Sequence, residues 1–137
     1  MASDARNRRA RGRALSRPAF AALLALGIAS AGSAAAGAER AEDNYRTYCV
    51  QCHGLDGNGK GVNVRDMSVQ PRDHTDAKAM SGRSDETIFK VIKEGGPSID
   101  KSVLMPPWGE TFSDEEIRGL VAHLRKLCKC SFGSTSP

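Results

Sequence analysis

The chain has 137 residues, with 20 Lys and Arg against 16 Asp and Glu for a net charge of +4. The basic excess sits in the first 38 residues, which hold six basic residues (Arg6, Arg8, Arg9, Arg11, Arg13 and Arg17) and one acidic residue, Asp4. The remainder has 14 basic and 15 acidic residues, a net −1, so charge gives no reason to expect nucleic acid or an anionic surface as partner.

Taken in chain order, the Arg-rich start is followed by an apolar run, Ala19 to Ala31, and by small residues ending at Ala36-Gly37-Ala38. That is the anatomy of an export signal. Cleavage after Ala38 leaves Glu39 to Pro137, 99 residues, as one small domain over 39–130 with a short tail at 131–137. Pro18 to Ala38 is uncharged, and its 21 residues approach the roughly 20 that span a bilayer, so a retained membrane anchor is the alternative. Either way the domain is expected outside the cytoplasm, in the periplasm or its equivalent.

A helical pattern covers Glu39 or Ala41 through Cys52, with Ala41, Tyr45, Tyr48, Cys49 and Cys52 on one face. Its end carries Cys49-Val50-Gln51-Cys52-His53, and Cys-x-x-Cys-His is the sequence form of covalent c-type haem attachment. On a helical turn the two thiols and the imidazole fall within about 100° of one another and can face one flat ligand. The thiols would form thioethers with the haem vinyl groups. The imidazole would be carried onto the iron, its other nitrogen donating to a carbonyl or water. Zinc would require a second ligand pair, and Cys128 and Cys130 are separated by only one residue. A thioredoxin-like pair would require a strand ahead of the motif. Because c-type haem is attached to a chain exported unfolded, general secretion fits the leader better than the twin-arginine route that Arg8-Arg9 alone suggests.

Gly54 to Gly61 holds four glycines in eight residues and is a loop. It imitates a phosphate loop but has Gly61 where Ser or Thr should stand, and an EF-hand start but has Lys60 and Met67 at ligand positions. Val62 to Ala79 is polar and irregular, long for a compact domain unless it wraps one side of a cofactor. His74 within it is an alternative candidate for an iron ligand, but the expectation is a solvent-exposed loop residue. Ser84 caps a helix with Asp85 and Glu86 in its first turn, Ile88, Val91 and Ile92 on its inner face, and Gly95-Gly96-Pro97 at its end.

The loop Ser98 to Phe112 contains Met105-Pro106-Pro107-Trp108-Gly109. Met105 is the candidate second axial ligand, since two prolines stiffen its segment; Met67 and Met80 rival it on chemistry alone. Ser113 and Glu116 form a capping box ahead of the last helix, whose stripe is Ile117, Leu120, Val121, Leu124 and Leu127, with His123 at the edge as a packing or surface residue. If that helix continues, Cys128 and Cys130 point apart; a bond between them requires the helix to end by about Leu127. Free thiols, an i, i+2 bond and an intermolecular bridge stay open. No strand pattern emerges. With six aromatic residues after the leader the core is thin, and a buried macrocycle would supply the missing apolar surface.

From about Tyr45 to Leu127 the chain resembles a class I, monohaem c-type cytochrome, on Cys49-x-x-Cys52-His53-Gly54, the three-helix pattern and Met105-Pro106-Pro107-Trp108-Gly109. The resemblance implies an all-α fold of three main helices around one covalent haem c, with the first and last helices crossing, iron bound by His53 and Met105, Tyr45 near Leu120 and Leu124, and Trp108 near a haem edge. It implies a monomeric electron carrier, not an enzyme, that serves redox partner proteins. The alternatives are a haem enzyme or gas sensor with a labile Met105, and a subunit of an oxidase or dehydrogenase. One departure is Gly61-Val62-Asn63-Val64 where the family often has Gly-Pro-x-Leu, which leaves the carbonyl acceptor for His53 unassigned.

Overall fold

The structure, a computed structural model, describes residues 29–134, with side chains from residue 36. The elements are α1 (Ala29–Tyr48), α2 (Val50–His53), α3 (Ala77–Ser81), α4 (Asp85–Glu94), a 3-10 turn (Gly96–Ile99) and α5 (Asp114–Cys128). Among the described residues there is no strand, so the fold is all-α with α1, α4 and α5 as its main helices. Residues 1–28 of the expected leader and 135–137 of the expected tail lie outside the described residues.

α5 follows its sequence signals closely. Ser113 accepts from the Glu116 amide at 3.3 Å and Glu116 accepts from the Ser113 amide at 2.9 Å, so the capping box is closed in both directions. Ile117, Leu120, Val121 and Leu124 are buried along one face. That face packs chiefly on α1, where Tyr45 joins Leu120 and Leu124 in the core. Gly119 allows the close approach: a Cβ there would already sit 3.4 Å from the Ala41 Cβ. α4 is capped by Ser84, buries Ile88 and Ile92, and ends at Gly95, whose φ of 81° lies where only glycine is unstrained.

Three local features differ from the sequence reading. The first helix breaks at Cys49 into α1 and α2, although the His53 amide still reaches the Cys49 carbonyl at 2.9 Å. The segment Val62 to Ala79 is not wholly irregular: Asp76 accepts from the Ala79 amide at 2.9 Å and starts α3. Cys128 and Cys130 are joined in a disulfide even though α5 runs to Cys128. Lys129 takes the left-handed conformation (φ 51°) and folds the chain back, bringing the two Cα atoms to 5.2 Å, within disulfide range.

Arg125 ties α5 to the α3–α4 junction. Its guanidinium, largely buried, pairs with Asp85 at 2.7 Å and donates to the carbonyls of Met80 and Arg83. Planar, multi-donor geometry lets one side chain satisfy three acceptors.

Candidate cofactor site

Between these helices lies a cavity of ≈ 320 Å³. Cys49, Cys52 and His53 border it from the α1–α2 end, and Met105, Pro106 and Trp108 border it from the loop before α5. Ile88, Ile92, Leu120 and Leu124 give it an apolar floor shared with the core. Such a pocket suits a flat, largely apolar ligand held by a few polar groups.

The backbone around α2 explains how the motif is presented. The glycine-rich loop doubles back beneath it, with the Gly59 amide on the His53 carbonyl (2.8 Å), Gly61 on Cys52 (3.1 Å) and Asn63 on Gln51 (2.9 Å). These bonds satisfy the carbonyls a helix end leaves open. Any side chain at Gly61 would overlap the Gln51 carbonyl, so its glycine serves contact with α2 and not phosphate binding.

His53 Nδ1 donates to the Arg72 carbonyl at 3.0 Å. A carbonyl can only accept, so the proton is fixed on Nδ1 and Nε2 keeps its lone pair, the state a metal ligand requires. Arg72 is thus the acceptor that the Gly61-Val62-Asn63-Val64 departure left unassigned. Burial lowers the His53 pKa, with the Arg72 carbonyl opposing, which also favours the neutral ring.

Cys49 and Cys52 are both free and half-buried. Burial, and then the neighbouring Cys52, push the Cys49 thiol up to about 12. A thioredoxin-like nucleophile needs the opposite shift, so the environment does not suit that chemistry. Among the described residues no group of three or more His, Cys, Asp or Glu side chains could hold a metal ion, so a zinc tetrad does not assemble either.

The Met105 loop is pinned to the end of α4. The Gly96 amide donates to the Met105 carbonyl at 2.9 Å, Trp108 to Ile92 at 3.0 Å and Gly109 to Lys93 at 3.0 Å. A Cβ on Gly95 would stand 2.8 Å from the Met105 carbonyl oxygen, so Gly95 and Gly96 do more than stop the helix: they seat this loop. Met67 and Met80 border the same cavity, but Met80 is 2% exposed and belongs to the core cluster. Trp108 packs against Tyr48 and Phe112 at ring separations of 5.5 and 5.7 Å, closing one side.

His74 corrects the sequence reading: it is buried, 8% exposed, not a solvated loop residue. Its ring lies on that of His53, and Tyr45 Oη stands 3.0 Å from its Nδ1. Burial, reinforced by His53, Arg72 and His123, holds its pKa well below the usual value, so the ring is neutral. Periodicity could not reveal this, because the contact depends on a loop returning beneath α2. His123 is a packing residue as expected, its ring 4.9 Å from Tyr45.

Residues 36–124 match the family described as "Cytochrome C oxidase, cbb3-type, subunit III". The chain belongs to this family of c-type cytochromes. It is 30% identical over 110 residues to cytochrome c-553 of Nitratidesulfovibrio vulgaris (strain Miyazaki F), covering 77% of this chain and 96% of that protein. Among solved structures it resembles the KustC0563 c-type cytochrome, with 31% identity, a TM-score of 0.51, and coverage of 64% of this chain and 95% of that one. It also resembles a chain of the Kuenenia stuttgartiensis reducing HAO-like protein complex Kustc0457/Kustc0458, with 28% identity, a TM-score of 0.52, and coverage of 65% of this chain and 41% of that one. For a c-type cytochrome the cofactor is covalently bound haem c, and the two thiols, the oriented imidazole and the apolar cavity fit that group.

Proposed function

We propose that this c-type cytochrome is a one-electron carrier of the extracytoplasmic space, with one haem c joined to Cys49 and Cys52 and its iron held by His53 and Met105. The observation that carries the reading is the cavity bordered by the Cys49–His53 motif on one side and the pinned Met105 loop on the other, with His53 Nε2 left free to bind. When bound, haem supplies a reversible ferric–ferrous couple, and His/Met ligation raises its potential. The chain's part is to hold both ligands still. Arg72 orients His53, while Gly96, Pro106 and Pro107 hold Met105, so little has to move when the charge changes. The apolar floor limits water at the metal.

One attachment motif supports one haem. Donor and acceptor are redox proteins, met by a monomer with no nucleic acid involved, and the carrier is not itself an enzyme. Cleavage of an export signal over 1–38 is supported by the burial pattern: residues 36–40 are exposed or half-exposed, and Ala41 is the first buried residue among those of α1 whose side chains are described. A second reading, a subunit held in a larger redox assembly, is favoured by the subunit description of the matched family and by the similarity to a chain of a protein complex.

Intact mass and visible spectra of the purified protein test the first reading. The chain mass should include one haem after acidified organic extraction, and reduction should give a low-spin ferrous spectrum. A colourless chain with two free thiols at Cys49 and Cys52 overturns it. Native mass of the membrane and soluble fractions separates a free monomer from a complex subunit.

A further inference from the structure

His53 is contacted on two sides by one short stretch of chain. The Arg72 carbonyl accepts a hydrogen bond from Nδ1 at the ring edge, and His74 covers the ring face, with centroids 4.2 Å apart and planes 17° from parallel. The stretch is itself anchored. The His74 amide donates to the Gly57 carbonyl at 2.7 Å, and Asp73 accepts from the Thr75 amide and hydroxyl at 2.8 and 2.6 Å, locking the turn just beyond.

The His74 ring is anchored too. Tyr45, 3% exposed and fixed in the α1–α5 core, places its hydroxyl 3.0 Å from His74 Nδ1. Either group can donate in this bond, according to the tautomer of the imidazole, and in both cases the bond sets the rotation of the ring. Space around this contact is tight: a Cβ on Gly57 would stand 2.9 Å from Leu127, 3.3 Å from the Tyr45 oxygen and 3.6 Å from the His74 Cβ. Lying flat beside His53, with one nitrogen taken, His74 is not placed to bind iron from the opposite face.

A hydrogen bond at one edge leaves an imidazole free to rock about that bond; a ring against its face removes the freedom. We infer that His74 is a positioning residue that fixes the plane of the His53 imidazole, and that Tyr45 fixes His74 in turn. Through this relay the α1–α5 crossing sets the orientation of the proximal ligand, in the way outer groups orient metal-bound histidines. The inference rests on His53 being the iron ligand.

The test is the electron paramagnetic resonance spectrum of the ferric holoprotein, whose g-values report the orientation of the axial imidazole plane. His74→Ala should shift and broaden the largest g-value, and His74→Phe, which restores a flat face, should return it towards the wild-type position. Tyr45→Phe keeps the stack but frees it, and should broaden the signal without that shift. Wild-type g-values in His74→Ala, or a shift that His74→Phe fails to recover, overturn the inference. If His74→Ala does not mature, Tyr45→Phe decides: a broadened signal supports the relay and an unchanged one refutes it. A wild type without a low-spin histidine-ligated signal overturns the ligand assignment along with the inference, whereas a normal wild-type signal with an unchanged His74→Ala overturns the inference alone.

Discussion

At the scale of single residues, what distinguishes Met105 from Met67 and Met80 is restraint rather than chemistry. All three thioethers border the cavity, but Met80 is packed into the core and Met105 stands on a loop held by Gly96, Pro106 and Pro107. Met105→Ala should therefore abolish the sulfur-to-iron charge-transfer band of the ferric protein and lower the midpoint potential. Survival of the band there, with its loss in Met80→Ala or Met67→Ala, would transfer the role to another methionine. The motif at Cys49, Cys52 and His53 and the candidacy of Met105 were legible because each depends on neighbours in sequence. His74 and Arg72 were not, because their roles come from a loop that returns beneath α2 to stack on and accept from His53. The Asp76 cap of α3 was available as a signal in Asp76 to Met80, but five helical residues carry too little periodicity to stand out.

At the scale of elements, α5 organises the fold, and its two ends are secured differently. Ser113→Ala removes the cap and should cost about 1 kcal/mol, read as a fall in Tm of roughly 4–8 °C. Its hydrogen bonds to Ser113 hold the Glu116 carboxyl below the usual carboxylate range. The stabilisation from that shift is present above the ordinary glutamate pKa and is lost as pH falls through the lower folded value, so the Tm difference between wild type and Glu116→Gln should narrow on acidification below about pH 4.3. At the other end Arg125 satisfies two carbonyls and Asp85, and removing it strands acceptors that hold the α3–α4 junction. Arg125→Met should lower stability by about 2–3 kcal/mol, and Arg125→Lys, which cannot reach all three acceptors, should recover only part of it. A denaturant midpoint equal to wild type in Arg125→Met would show that the junction is held by packing alone. The helices α4 and α5 were legible because caps and apolar stripes are local; the Cys128–Cys130 bond was not, because it depends on the left-handed Lys129 that no pattern announces.

At the scale of the whole molecule, a domain with a thin core is built around a cavity, so haem is expected to be part of what holds it folded. The chain made without haem should unfold at a markedly lower temperature than the holoprotein, because an attached macrocycle buries its apolar faces only in the folded state. N-terminal sequencing of the native product should begin at or near Glu39; residues ahead of Ala19 on a membrane-bound product would make the leader an anchor. Carrier and catalyst differ in coordination number, since one fold serves several functions. Were His53 and Met105 both on the iron there would be no vacant position; His74, the buried histidine nearest the motif, is engaged by Tyr45 and lies beside His53. The most direct measurement is the optical spectrum of the reduced, unmodified protein before and after carbon monoxide is added. The expected result is a spectrum essentially unchanged by the gas in the wild type and converted in Met105→Ala. Ready formation of a carbon monoxide complex by the wild type would contradict the carrier assignment.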